Sequence, residues 1–195
     1  ASAQTTTEAA VAIDALAALG ASVIVSPGQY VTPDAPPLSG PGREPADGSS
    51  ALCQAIAAAR ADDGVLVVQA GGDLALSHWD GTFTDGNRNQ YHEFAPGIEI
   101  NQIALGTASI ATFLRWDDWP ASTQDYDLEL WVKDTAGIWE PVVASQNEQS
   151  GTQPPWEYIA RTLDPALQYG LRIKKYGATR CVFLDRTDVS AARFD

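Results

Sequence analysis

Asp85-x-Asn87-x-Asn89, flanked by Asp80 and Glu93, places side-chain oxygens at alternate positions of one short segment, the spacing with which a loop wraps a hard divalent cation. Calcium is the ion that such a set of oxygens suits. Gln90 stands where an EF-type loop needs glycine, and no distal glutamate closes the segment. A standard EF-hand is thereby excluded, and a metal centre here would be an irregular one. Asp117, Asp118, Asp125 and Asp127 form a second acidic set. Turn-capping carboxylates beside buried tryptophans are the favoured reading of it, with cation binding as the alternative.

Acyl transfer by a serine needs a His within reach of the hydroxyl and a carboxylate to orient that His. Ser109, in Gly106-Thr107-Ala108-Ser109, opens an alternating strand, while Ser49 and Ser50 stand where a helix needs its N-cap. His78 and His92 read as structural hydrogen-bonding groups rather than bases or ligands, so no catalytic residue is expected. Trp79, Trp116, Trp119, Trp131, Trp139 and Trp156 raise stacking on sugar rings as a further chemistry. Most large aromatics of a β-sandwich belong to its core, but Trp131 falls on the wet side of its strand. Cys53 and Cys181 permit one disulfide closing a long loop, and a buried free thiol among alanines is the alternative for Cys53.

These residues need elements to position them. Thr5-Thr6-Thr7-Glu8 offers a capping box, Ile13, Leu16, Ala17 and Leu19 share a helical face, and Gly20 is placed as the stop, so a helix is predicted from about Thr6 to Leu19. Ser22 to Val25 reads as a buried strand, and Pro33 to Gly48 as a loop rich in proline and glycine. A second helix runs from Ser49 or Ser50 to about Ala61, Gly64 lies just past it, and Val65 to Val68 is a second continuously apolar strand. Strand, helix, strand in this order is a βαβ unit with parallel strands. Beyond it the period becomes two, with strands predicted near 98–103, 110–116, 128–132, 142–145, 156–160, 169–174 and 182–184. The expected class is α+β: an N-terminal α/β segment over 1–76, then an antiparallel β-sandwich or jelly roll over 77–195.

A chain of 195 residues with 45% apolar content can bury a substantial core. Its formal charge of −13 opposes binding to nucleic acid or to anionic lipid and makes cations the better partners. No apolar run reaches the roughly 18 to 20 residues needed to span a bilayer. The sequence has no methionine and opens Ala1-Ser2-Ala3-Gln4, letters that suit the mature side of a signal-peptide cut. Export is therefore expected, and a fragment excised from a longer chain is the alternative.

Ser77-His78-Trp79-Asp80-Gly81-Thr82-Phe83, Tyr91-His92-Glu93-Phe94, Asp117-Asp118-Trp119, Asp125-Tyr126-Asp127-Leu128 and Ala144-Ser145 together resemble the bacterial pre-peptidase C-terminal domain, a secreted β-sandwich that accompanies or interrupts extracellular proteases. Ala21 to Val25 and Gly64 to Asp73 are similar to two core strands of subtilisin-like proteases. That second resemblance puts Asp73, in Ala70-Gly71-Gly72-Asp73, where the protease family has the asparagine that donates to the oxyanion. An aspartate offers an acceptor and a negative charge there, so the position reads as degenerate. The Asp-x-Gly, His-Gly-Thr and Gly-Thr-Ser-Met motifs of that family are absent as well.

Three functions follow as expectations. The first is a secreted, non-catalytic structural or adhesive protein that self-associates into an oligomer or filament, because a two-stranded parallel sheet leaves edges to be covered. The second is the non-catalytic part of a subtilisin-like protease whose triad lies outside this chain. The third is an accessory module that binds calcium or glycans, with cell-surface or glycan contact and calcium as the candidate cofactor.

Overall fold

The computed structural model describes residues 5–27, 45, 48–70, 78–176 and 181–186. Asp73 and most of the proline-rich loop lie outside these residues. The protein is mostly β and divides into two compact units, Ala1–Asp73 and Leu74–Asp195.

The first unit is built by local signals. Thr5 caps α1 (Thr6–Ala18) in a reciprocal box: its hydroxyl accepts from Glu8 N at 3.1 Å, and Glu8 accepts from Thr5 N at 3.2 Å. Gly20 follows at φ +82°, a left-handed conformation that glycine adopts without steric cost. Ser50 caps α2 (Ala51–Asp62) by accepting from Cys53 N at 3.3 Å. β1 (Val23–Ser26) and β2 (Leu66–Gln69) pair in parallel, from Val23 opposite Leu66 to Ser26 opposite Gln69, as the βαβ order requires.

Ile13, Ala17, Ala55 and Ala59 of the helices close over Ile24 and Val65, and the small alanines let the two helices approach. Both strands were expected to be buried, but only one face is. Val23, Val25, Leu66 and Val68, on the other face, are 55%, 64%, 60% and 46% exposed.

The second unit is a β-sandwich-like pair of antiparallel sheets. One sheet runs in the order β3 (His78–Thr82), β10 (Cys181–Arg186), β5 (Ser109–Trp116), β8 (Trp156–Thr162). The other runs β4 (Asn101–Gln102), β9 (Gln168–Lys175), β6 (Tyr126–Lys133), β7 (Trp139–Ser145). Ile110, Leu114, Trp116 and Ile159 from the first sheet meet Tyr126, Leu128, Leu130, Leu171 and Ile173 from the second in one core cluster. Alternation places these residues inward and leaves their neighbours on the outer faces. β7 is an edge strand and so tolerates Pro141, which has no N–H to give a ladder. β3 replaces what the sequence showed only as an opening signature, and β4 shrinks to two residues of the predicted 98–103.

Two buried features brace this unit. Glu157 of β8 is wholly buried and accepts from Ser145 of β7, so one carboxylate ties the two sheets together. Gly170 of β9 leaves no room for a side chain: an added Cβ would overlap Ile100 Cγ2 and lie 3.2 Å from the Asn101 carbonyl and 3.4 Å from the Trp139 ring. Gly170→Ala is expected to cost about 1 to 3 kcal/mol by overpacking, read as a lower denaturation midpoint with the strand content kept. An unchanged midpoint would mean that Ile100 swings clear without strain.

Candidate binding cleft

Because Tyr126, Leu128 and Leu130 point into the core, β6 turns Asp127, Glu129 and Trp131 out in a row. The register with β9 sets Lys174 opposite Asp127, Arg172 opposite Glu129 and Gly170 opposite Trp131. Opposite charges thus face each other across the two strands. A bulge between Leu130 and Trp131 shifts the β7 partners, and Tyr91 joins the face through a bridge to Lys174. Tyr91, Glu129, Trp131, Gln146 and the Pro141 to Ala144 stretch of β7 line an open cleft of about 520 Å³, a volume suited to a small ligand or a short piece of a polymer.

The two aromatic rings are held by a cation gripped between them. The Arg172 guanidinium carbon lies 3.5 Å from the Tyr91 ring centroid and 4.6 Å from that of Trp131. Its charge is met by Glu99, with which it forms a close ion pair. Glu99 also accepts from Asn87 Nδ2 at 2.7 Å and Asn89 Nδ2 at 2.6 Å. Burial pulls the Glu99 carboxyl upward, but the hydrogen bonds from Asn87, Asn89 and Arg172 outweigh it and hold the group below the usual carboxylate range. Glu99 is therefore ionised at neutral pH and keeps Arg172 in place.

The polar groups around the rings are similarly fixed. Trp131 Nε1 donates to Glu129 at 2.7 Å, and Gln146 Nε2 donates to Asp127 at 3.0 Å. Burial pushes the Asp127 carboxyl up, Gln146 opposes this, and the neighbouring Asp125 and Glu129 charges add to the rise. Burial, and then the Glu129 charge, raise the Tyr91 hydroxyl, which stays protonated at neutral pH. Lys174 is raised by its 2.9 Å hydrogen bond to the Tyr176 hydroxyl. Ring faces for C–H surfaces beside carboxylate, amide and hydroxyl groups for O–H groups are the two halves of carbohydrate recognition.

The residues of the first candidate cation loop are joined by hydrogen bonds. Asp85 accepts from Asn89 N at 3.0 Å and Gln90 N at 3.1 Å, with Lys175 Nζ at 3.5 Å. Asn87 accepts from Asn89 N at 3.1 Å, and Asn89 accepts from Tyr91 N at 3.0 Å. Gln90, at the expected glycine position, does adopt a left-handed φ of 76°. The segment is thus a chain of side-chain turns that delivers Tyr91 and holds the Asp85, Asn87 and Asn89 oxygens on backbone N–H groups, while the Asn87 and Asn89 amides reach Glu99. Asp80 is exposed on β3.

In the second acidic set, Asp118 accepts from Ser122 at 2.9 Å, and the same hydroxyl accepts from the buried Trp116 indole at 2.9 Å. That is a turn cap beside a buried tryptophan. Asp125 accepts from Gln149 N at 3.3 Å, Asp117 is exposed, and Asp127 belongs to the cleft face. Among the described residues no group of three or more His, Cys, Asp or Glu is arranged to hold a metal ion.

Cys53 is exposed with a free thiol, so it is neither the buried thiol nor, in this structure, half of a disulfide, and the Cys181 side chain lies outside the described residues. His92 is 1% exposed, ringed by Trp79, Phe83 and Phe94, and its Nδ1 accepts from Thr84 N at 3.0 Å. Sequence reasoning found Trp131 but missed Tyr91, Glu129, Gln146 and Arg172. The outward alternation of β6 and β9 was the signal for two of these.

No protein-family model and no curated protein matches this chain. Solved structures with a distant likeness include the mitogen derived from Yersinia pseudotuberculosis, with a TM-score of 0.36 and 11% identity over 59% of this chain and 86% of that one. Another is the K3 cleaved adhesin domain of Lys-gingipain from Porphyromonas gingivalis, with a TM-score of 0.34 and 10% identity over 61% and 76%. A third is the C-terminal family 22 carbohydrate-binding module of Clostridium thermocellum Xyn10B, with a TM-score of 0.31 and 10% identity over 60% and 86%. Likeness at this distance assigns no role to any residue here.

Proposed function

We propose that this protein is a secreted, non-catalytic glycan-binding module whose cleft holds part of a carbohydrate chain against Trp131 and Tyr91. The observation that carries the reading is the stack of Tyr91, Arg172 and Trp131, fixed from behind by Glu99 and bordered by Glu129 and Gln146. A platform set in advance spares a ligand the entropy of ordering these side chains. An accessory role of this kind also fits what the resemblance to the pre-peptidase C-terminal domain implies.

The test is retention on immobilised polysaccharides followed by titration calorimetry with soluble oligosaccharides. Trp131→Ala is expected to weaken binding by about 2 kcal/mol, near thirtyfold, with little change in melting. Failure of every glycan in a broad panel to bind, or equal affinity for the variant, would remove the reading.

A second reading, self-association through the first unit, is favoured by the exposed row Val23, Val25, Leu66 and Val68. Sedimentation across a concentration series decides it, since a constant monomer mass at high concentration leaves that row without a second copy to cover it.

A further inference from the structure

The charge of the cleft narrows the class of glycan. Of the side chains that line it, Glu129 alone is charged; the rest are Tyr91, Trp131, Gln146 and the apolar stretch of β7. Of the two nearby cations, Arg172 and Lys174, the first is neutralised by a carboxylate. Arg172 lies between two rings and is paired with Glu99, and Lys174 is hydrogen-bonded to the Tyr176 hydroxyl. Another Arg172 donor, Nε, is buried. Asp127 adds a second carboxylate behind Gln146, on the same outward face of β6. A uronate or sulfate group entering the cleft would therefore approach two carboxylates, Glu129 and Asp127, opposed by the Lys174 ammonium, against a protein of net charge −13.

We infer that the cleft selects uncharged glycans and refuses uronate- and sulfate-bearing ones, with Glu129 as the residue that discriminates. The inference rests on the glycan-binding reading above. Glu129→Gln isolates the charge, because a glutamine carbonyl can still accept from Trp131 Nε1 where Glu129 now does at 2.7 Å.

The experiment is a binding panel that pairs each neutral oligosaccharide with the same chain carrying a uronic acid or a sulfate, run at low salt on the wild type and on Glu129→Gln. The wild type is expected to bind neutral members at least about tenfold more tightly than their acidic counterparts, and the variant to close most of that gap. Equal or tighter binding of acidic members by the wild type, or an unchanged ratio in the variant, overturns the inference while leaving glycan binding intact. Binding of no member overturns both. Should the variant fail to fold, the wild-type ratio alone still decides, because a Coulomb origin requires it to shrink as salt rises from about 0.01 to 1 M.

Discussion

Glu157→Ala is expected to lower the stability of the sandwich by about 4 kcal/mol, a fall of about 15 °C in melting temperature. The carboxylate is wholly buried, and the donors around it are neutral. They are the Ser145 hydroxyl, Asn147 N at 3.0 Å, Asn147 Nδ2 at 2.8 Å and Gln149 Nε2 at 2.8 Å. Alanine removes the acceptor and leaves those donors to find water or go unpaired, and it unties β7 in one sheet from β8 in the other. Glu157→Gln keeps one acceptor and should cost markedly less. A drop of only a degree or two for the alanine variant, followed by thermal melting, would show that the donors reorganise freely and that the tie is unimportant.

The second large effect is a loss of stability in mild acid. Burial among Trp79, Phe83 and Phe94 lowers the His92 pKa from 6.5 to about 4. The unfolded chain therefore takes up the proton first. The contribution is fully present above pH 6.5 and disappears as pH falls towards 4, and over that window it amounts to about 3 kcal/mol.

Glu157 runs the other way. Burial raises its carboxyl despite the hydrogen bonds from Ser145, Gln149 and Asn147, so the folded state binds that proton more readily and gains stability as pH falls through the raised value. His92→Asn separates the two, because its side-chain oxygen can accept from Thr84 while nothing remains to titrate near neutrality. Denaturation midpoints measured between pH 7 and 4 should fall in the wild type and stay level or rise in the variant. Parallel curves would place the acid sensitivity in another group.

How much of this was legible before folding depends on how far apart the interacting residues lie. Thr5 with Glu8, and Ser50 with Cys53, are three residues apart, so the helix starts could be read directly, and the parallel pairing of β1 with β2 followed from the helix between them. The outward position of Trp131 followed from alternation alone.

The ring stack did not, because Tyr91, Trp131 and Arg172 meet only once β6 and β9 are in register and the 85–90 turn has delivered Tyr91. The acidic motifs left two readings open for a physical reason. An Asp or Asn oxygen that can hold a cation can equally accept from a backbone N–H two to five residues on, and Asp85, Asn87 and Asn89 all do so. β3 was missed as a strand because His78-Trp79-Asp80-Gly81-Thr82 has one large apolar side chain, Trp79, and carries Asp and Gly, residues that strands disfavour.

β10 lies in the interior of its sheet, between β3 and β5. During synthesis this makes the earliest described strand of the sandwich wait for the latest, since among the described residues β3 pairs with β10 alone. Thr82 and Cys181 are about a hundred residues apart, so at roughly 5 to 20 residues per second β3 stays unpaired for about 5 to 20 s after it is made. β5 can meanwhile pair with β8, and β6 with β7 and β9, as soon as each partner leaves the ribosome. A nascent chain stalled short of Cys181 would hold a finished second sheet and a first sheet with a missing middle, baring ladder edges on both β3 and β5. Those edges are where a holding chaperone would be needed and where a truncated product would begin to aggregate.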